Sequence, residues 1–258
     1  MFIINNDGFS WGHSIKFNCD MGESFGTWVK GADELVMPFV DMANIACGMH
    51  ASDPSTMART VMLASRYGVS IGAHPSYPDL LGFGRRELAL EGEELEACVL
   101  YQIGALDGIC RAQGRRVEYV KPHGALYNKM MRDEATLDSM ISAVRRYDAG
   151  LPLVVLGAGE SANSALRERA ARQGVDLLFE AFADRAYDES GRLVPRSEPG
   201  AVHTDPDRVI RQISEIVEQG HVSTLTGTKI PLKADTLCLH GDNEELLAAV
   251  GRIREALS

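Results

Sequence analysis

Seven short apolar runs punctuate this chain, and longer segments of helical spacing separate them. The runs are Ile15–Asp20, Met42–Cys47, Val69–Ala73, Val117–Lys121, Leu153–Leu156, Asp176–Ala181 and Thr236–His240. Between them, Leu95, Val99, Ile103, Leu106 and Cys110 recur with helical spacing. So do Val209, Ile210, Ile213, Ile216 and Val217, and so do Leu246, Leu247, Val250, Ile253 and Leu257. Asp53-Pro54 and Asp205-Pro206 carry the signature of an acidic cap followed by proline in the first turn. Short strands joined by helices demand crossover connections, and hence a parallel sheet. The chain thus reads as α/β, a single-domain (β/α) barrel of seven or so parallel strands. The barrel leads because no linker divides the sequence; a doubly wound open sheet is the alternative. A length of 258 residues fits one such barrel, which takes about 250.

Residues 1–14 read as an extension before a barrel over 15–258. The opening MFIINNDGFSWGHS has no basic segment, and its apolar run is too short for a signal peptide. No run reaches the roughly 18 apolar residues of a spanning helix. With 26 Lys+Arg against 36 Asp+Glu the net charge is −10, the wrong sign for non-specific nucleic-acid binding. The five cysteines are odd in number and form no CxxC. A disulfide framework or zinc ribbon is therefore not expected, and a reducing, cytoplasmic setting is. Cys47 reads as a small buried residue. Two long irregular stretches, His74–Leu90 and Phe182–Asp205, carry Gly, Pro and clustered charge; loops of that length in a small domain are usually functional.

Polar residues gather where the strands end: Asn18, Asp20 and Glu23; Asn44, His50 and Asp53; His74; Lys121 and His123; Glu180, Asp184 and Arg185; His240 and Asp242. In a parallel barrel those ends converge on one face, which holds the site. Each residue also has a plainer reading. Asp20 and Glu23 suit a helix N-terminus, His50 suits a loop, and Arg85, Arg86 and Arg196 suit a solvated face. Lys121, at the end of an apolar strand, is harder to set aside, because a buried ammonium needs a carboxylate or an anion. Two chemistries remain open. Asp20, His50 and His74 can hold a divalent metal. Alternatively, Asp20 and His123 can work as base and acid with Lys121 steadying an oxyanion. Gly157-Ala158-Gly159 lacks a third glycine and reads as a tight turn, and the chain has no phosphate loop.

Six blocks in order resemble the LamB/YcsF family of 5-oxoprolinase A subunits. They are Asn18-Cys19-Asp20-Met21-Gly22-Glu23-Ser24-Phe25-Gly26; Ala43 to Pro54 with Asn44, Cys47, His50 and Asp53; Gly72-Ala73-His74-Pro75 onward to Arg86; Val120-Lys121-Pro122-His123-Gly124; Glu180 to Ala201 with Asp184 and Arg185; and Cys238-Leu239-His240-Gly241-Asp242. Ser52 and Ser76 stand where the family pattern leads to glycine, and Met49 where Phe is usual, departures that bear on loop detail.

The resemblance implies a barrel related to glycoside hydrolases and deacetylases. It also implies ATP-dependent opening of 5-oxo-L-proline to L-glutamate, with ADP and phosphate released. Partner subunits B and C and Mg-bound ATP as co-substrate follow from it. On that reading Asp20, His74, Lys121 and His123 are catalytic. Asn18, Glu23, Asn44, Glu180, Asp184, Arg185 and His240 bind substrate, and Asp20, His50 and His74 are the metal candidates. A stand-alone metal-dependent deacetylase or amidohydrolase is the rival reading, and a non-catalytic scaffold role within the complex is a third.

Overall fold

Alternation along seven strands decides the architecture. The computed structural model describes residues 15–240 and 244–255. The extension expected over residues 1–14, together with Asp242 and Leu257, lies outside the described residues. Strands β1 (Lys16–Met21), β2 (Met42–Ala46), β3 (Ser70–His74), β4 (Tyr119–Val120), β5 (Leu153–Leu156), β6 (Leu177–Phe182) and β9 (Thr236–Cys238) form a closed barrel in that order. Every pairing is parallel, and β9 closes the ring by pairing with both β6 and β1. All seven expected strands are present, within a few residues of their expected bounds. The open-sheet alternative is excluded by the β1–β9 pairing.

Side chains on a strand alternate between the two faces. One set faces the helices and joins the main core: Phe17, Cys19, Ala43, Ile45, Ile71, Ala73, Val120, Val155, Phe179 and Leu237 are all buried there. The other set points inward. Met42, Tyr119, Val154 and Leu178 form a separate apolar plug inside the barrel. Gly72 leaves room for that plug, since a Cβ there would come within 2.1 Å of the Tyr119 ring. One step further along the inward set lie Asp20, Asn44, His74 and Glu180, so the polar residues form a layer above the plug.

The helical segments pack outside. Helix α2 (Pro54–Tyr67) starts as expected: the Asp53 carboxylate accepts from Ser55 N at 2.9 Å and Thr56 N at 3.1 Å, and Pro54 sits in the first turn. Helix α3 (Gly92–Ala112) buries Leu95, Val99, Ile103, Leu106 and Cys110. Helices α4 (Gly124–Met130) and α5 (Glu134–Tyr147) both follow β4, and α6 (Glu160–Arg172) follows β5. Helix α7 (Pro206–Gln219) repeats the Asp-Pro start.

Besides the pair α4 and α5 after β4, three departures from one helix per strand appear. After β1 only the four-residue α1 (Asp33–Val36) and a 3-10 turn form, so Asp20 and Glu23 cap no helix and stay available at the barrel mouth. Between α7 and β9 the chain makes an antiparallel hairpin, β7 (His221–Ser223) with β8 (Lys229–Pro231). The last apolar pattern is broken at Ala249 into α8 (Glu244–Ala248) and α9 (Val250–Glu255). None of the described helices is long and apolar enough to cross a membrane.

Candidate active site

A cavity of about 370 Å³ opens above the polar layer, within the size range of small-molecule sites. Asp20, Glu23, His74, Lys121, His123, Arg185 and His240 line it. Both long irregular stretches reach it, the first through Arg85 and the second through residues from Phe182 to Arg196.

The floor is an ion-pair network built on the strand ends. Lys121 Nζ lies 2.7 Å from Glu180 Oε1 and 3.2 Å from Asp20 Oδ1. It also donates to Asn18 Oδ1 at 3.1 Å and Cys238 Sγ at 3.2 Å. Burial opposes the Lys121 charge, yet Asp20 and Glu180 beside it hold its pKa well above the ordinary lysine value. Burial likewise opposes the Asp20 charge, but His74 and Lys121 outweigh it and hold that carboxyl well below the usual range. The floor therefore holds ammonium and carboxylate in their ionised forms.

Asn18 and Asn44 support this network from below and do not line the cavity. Asn44 Nδ2 donates to both Asn18 Oδ1 and Asp20 Oδ1 at 2.8 Å, and Tyr119 Oη donates to Asn44 Oδ1 at 2.7 Å. Asn18 Nδ2 donates to Thr236 Oγ1 at 2.8 Å. The Asn44 amide is engaged on both sides and Asn18 lies beneath it, so in this arrangement the pair, expected to bind substrate, contacts Asp20 and Lys121. Glu180 is completely buried and acts as the counter-charge of Lys121. Asp184 is also behind the wall: it accepts from His240 Nδ1 at 2.9 Å and from the His240 main-chain N–H at 3.1 Å. That leaves His240 Nε2 as the ring's remaining polar atom, while the ring stacks on Phe182.

A second cluster gathers three imidazoles. His50 and His123 stack with centroids 3.8 Å apart, and His74 meets His123 edge-on. Burial pushes the His50 and His123 pKa values down, with the neighbouring imidazoles adding to the effect at His123. Both rings are thus neutral near pH 7. Glu23 Oε1 lies 3.6 Å from His50 Nε2 and 3.7 Å from His123 Nδ1. Of the expected metal candidates Asp20, His50 and His74, the two histidines lie with Glu23 and His123 in a set whose donor atoms are all within 4.8 Å of one another, and Asp20 Oδ2 borders that set 3.4 Å from His74 Nε2. Asp20 divides its two oxygens: Oδ1 accepts from Asn44 and Lys121, while Oδ2 faces His74 Nε2. Asp20, Cys238 and His240 also approach one another, but the Lys121 ammonium already sits against Asp20 and Cys238.

Several participants carry no sequence signal of their own. Ser76 orients His50: His50 Nδ1 and Ser76 Oγ are 2.9 Å apart, and the Ser76 hydroxyl donates to the Tyr77 carbonyl at 2.8 Å. The departure from glycine at Ser76 therefore reaches the site rather than loop detail alone. Gln102 of α3 clamps Ser76 through both its main-chain N–H and carbonyl, at 2.9 and 2.8 Å. Phe83 takes the left-handed conformation, φ 56°, and its carbonyl lies 2.9 Å from His123 Nε2. Strain of this kind collects at functional sites.

The arginines depart from expectation in part. Arg85, exposed as expected, and the half-buried Arg196 both reach the cavity. Arg185, expected to bind substrate, spends two donors on the loop carbonyls of Ala201 and Val194. Burial and the nearby Arg196 lower its pKa to about 10. Arg132 and Arg192 complete a cationic rim. Cys47 is buried, as expected, and burial pushes its thiol up to about 12. Gly157-Ala158-Gly159 is a tight turn: a Cβ on Gly157 would lie 2.5 Å from the Lys233 carbonyl oxygen.

The model of the LamB/YcsF family matches residues 15–258. A curated relative from Pseudomonas fluorescens (strain Pf0-1), the A subunit of 5-oxoprolinase, is 55% identical over 244 residues, covering 95% of this chain and 97% of that protein. The crystal structure of the lactam utilization protein from Thermus thermophilus superposes with a TM-score of 0.85 at 45% identity, covering 95% of this chain and 96% of that one. A GH113 β-1,4-mannanase superposes with a TM-score of 0.51 at 12% identity over 95% of this chain and 98% of that one, a likeness of fold alone.

Proposed function

The chain belongs to the LamB/YcsF family, and on that premise we propose that it is the A subunit of a 5-oxoprolinase. It opens the lactam of 5-oxo-L-proline to L-glutamate while ATP is converted to ADP and phosphate. The observation that carries this reading is the end-to-end identity of 55% to a curated 5-oxoprolinase A subunit. Residues 15–258 form the catalytic domain. Subunits B and C complete the enzyme, and the Mg-bound nucleotide binds on a partner, in keeping with the lack of a phosphate loop here. Five free thiols suit the cytoplasm.

The cavity chemistry agrees with a small anionic lactam. An unstrained amide resists water, and phosphorylating its oxygen turns that oxygen into a good leaving group. Asp20, His74, Lys121 and His123 form the reacting floor. The Lys121 ammonium faces charge developing on oxygen, and Asp20 accepts the proton of the attacking water. Glu23 and His240 flank the reacting atoms. Arg185, Arg85 and Arg196 attract the carboxylate or a phosphoryl group. Asn18, Asn44, Glu180 and Asp184 hold these groups in place.

The test is release of glutamate and phosphate from 5-oxo-L-proline plus ATP, by the chain alone and with subunits B and C. Activity is expected only with the partners and only with ATP. The convergence of three imidazoles favours one second reading, a metal-dependent amidohydrolase acting alone. ATP-independent amide hydrolysis by the isolated chain would establish that reading instead.

A further inference from the structure

We propose that His50, His74, His123 and Glu23 form a four-ligand site for a first-row divalent cation of the zinc type. The ring protons are placed by what each ring touches. A carbonyl oxygen only accepts, so a ring nitrogen bonded to one must carry hydrogen. His74 Nδ1 is 2.7 Å from the Lys121 carbonyl, and His123 Nε2 is 2.9 Å from the Phe83 carbonyl. The Ser76 hydroxyl spends its hydrogen on Tyr77, so His50 Nδ1 must donate to Ser76 Oγ. A ring with one proton keeps its lone pair on the other nitrogen, which is His74 Nε2, His123 Nδ1 and His50 Nε2 in turn.

Those three nitrogens and Glu23 Oε1 all lie within 4.8 Å of one another. His74 Nε2 and His123 Nδ1 are 3.0 Å apart, and Glu23 Oε1 stands 3.6 and 3.7 Å from His50 and His123. With one proton on each ring, four acceptors face one point, and His74 Nε2 also stands 3.4 Å from the anionic Asp20 Oδ2, a surrounding that calls for positive charge between them. His50 Nε2 and Glu23 Oε1 are buried without any hydrogen-bond partner, and His50 is completely buried. Such atoms carry a real penalty unless something positive lies between them. A single proton can bridge His74 and His123 but leaves the other pair unsatisfied. One cation satisfies all four.

The spacing also suits a small ion. Tetrahedral bonds of roughly 2.0–2.1 Å place neighbouring ligand atoms about 3.4 Å apart; three of the six separations, 3.0, 3.6 and 3.7 Å, straddle that value, and the rest lie within 4.8 Å, so binding would draw the ligands together. Three imidazoles and one carboxylate select zinc and its neighbours over magnesium or calcium. The outer hydrogen bonds to Lys121, Phe83 and Ser76 are the kind that orient metal-ligating histidines. His74, His123 and Glu23 also line the cavity, so the ion would meet the substrate on that side. Metal binding follows from these side chains alone. The ion's role, polarising the lactam oxygen as a Lewis acid with Asp20 left as proton acceptor, rests on the proposed function.

The experiment is zinc stoichiometry by mass spectrometry on the purified full chain, stripped with chelator and dialysed against zinc. Thermal unfolding with and without zinc is measured in parallel. About one zinc per chain and a raised Tm are expected. His50→Gln and Glu23→Gln, which keep side-chain size, should weaken binding about 10–100-fold, and Ser76→Ala, which touches only the orientation of His50, should weaken it about 10-fold. Circular dichroism identifies any variant that fails to fold, and the folded ones decide. No retained zinc in the natural chain, or undiminished binding in folded Glu23→Gln and Ser76→Ala, overturns the site. An active, metal-free complex would overturn the site and leave the 5-oxoprolinase reading standing. A zinc-loaded chain without lactam activity would do the reverse.

Discussion

His74 Nε2 and His123 Nδ1 face each other 3.0 Å apart, while the other nitrogen of each ring is held by a main-chain carbonyl. The two rings come from different strand ends, and the loop bearing Phe83 and Gly84 packs over them. Their separation is therefore a property of that loop as much as of the barrel.

Gly84 sits in this loop at φ 64°, and a Cβ there would lie 2.9 Å from both His123 Cδ2 and His50 Cβ. Gly84→Ala should cost about 1–3 kcal/mol of stability and displace the imidazoles. Urea unfolding and lactam turnover by the assembled enzyme check this. An active variant of unchanged stability would show that the loop tolerates the intrusion.

Lys121 and Glu180 are both buried, with Nζ and Oε1 2.7 Å apart. Lys121→Ala strands Glu180 and should destabilise the chain by about 3–5 kcal/mol. Adding Glu180→Gln should restore part of that stability without restoring turnover, because the ammonium is still missing. Denaturant midpoints and activity of the single and double variants separate the two effects.

Asp53 caps α2 and also accepts from Gly26 N at 3.0 Å. Hydrogen bonding from Thr56 and Gly26 lowers its pKa from 3.8 to about 2. A carboxylate lowered on folding stabilises the native state above its unfolded pKa, and that contribution disappears as pH falls through the folded value. Asp53→Ala should cost about 1 kcal/mol at neutral pH, and the gap to the natural chain should close between about pH 4 and about pH 2. Unfolding curves across that range test the sign.

Arg196 lines the cavity beside Arg185. If the rim recognises the substrate carboxylate, Arg196→Ala should raise KM for 5-oxo-L-proline about 10–100-fold with little change in kcat. An equal fall in kcat would move the residue to the reacting centre.

Much of the barrel is legible in the sequence because its signals are local. Period-two alternation places Asn18, Asp20, Asn44 and Glu180 on the inner face, and strand ends in a parallel barrel share one mouth. The Asp53 and Asp205 caps are equally local. The hairpin of β7 and β8 and the break at Ala249 are not, since three-residue strands and a continuing apolar pattern look alike to periodicity. Arginine directions escape the sequence in both senses: the exposed Arg85 and the half-buried Arg196 reach the cavity rim, while Arg185 is used to hold its own loop. A long side chain follows the path of its loop, and no spacing rule encodes that path.

The sequence by itself determined which strand residues face the barrel interior, because strand phase and chain order leave them no other face. Only the tertiary structure decided how they divide. It gave Asp20 to Lys121 and Asn44, and set Glu23 among three histidines. It assigned each ring's proton through Ser76 and the carbonyls of Phe83 and Lys121. The physical reason is that a carbonyl is the same group at every residue, so which one meets an imidazole depends on where three loops bring the backbone.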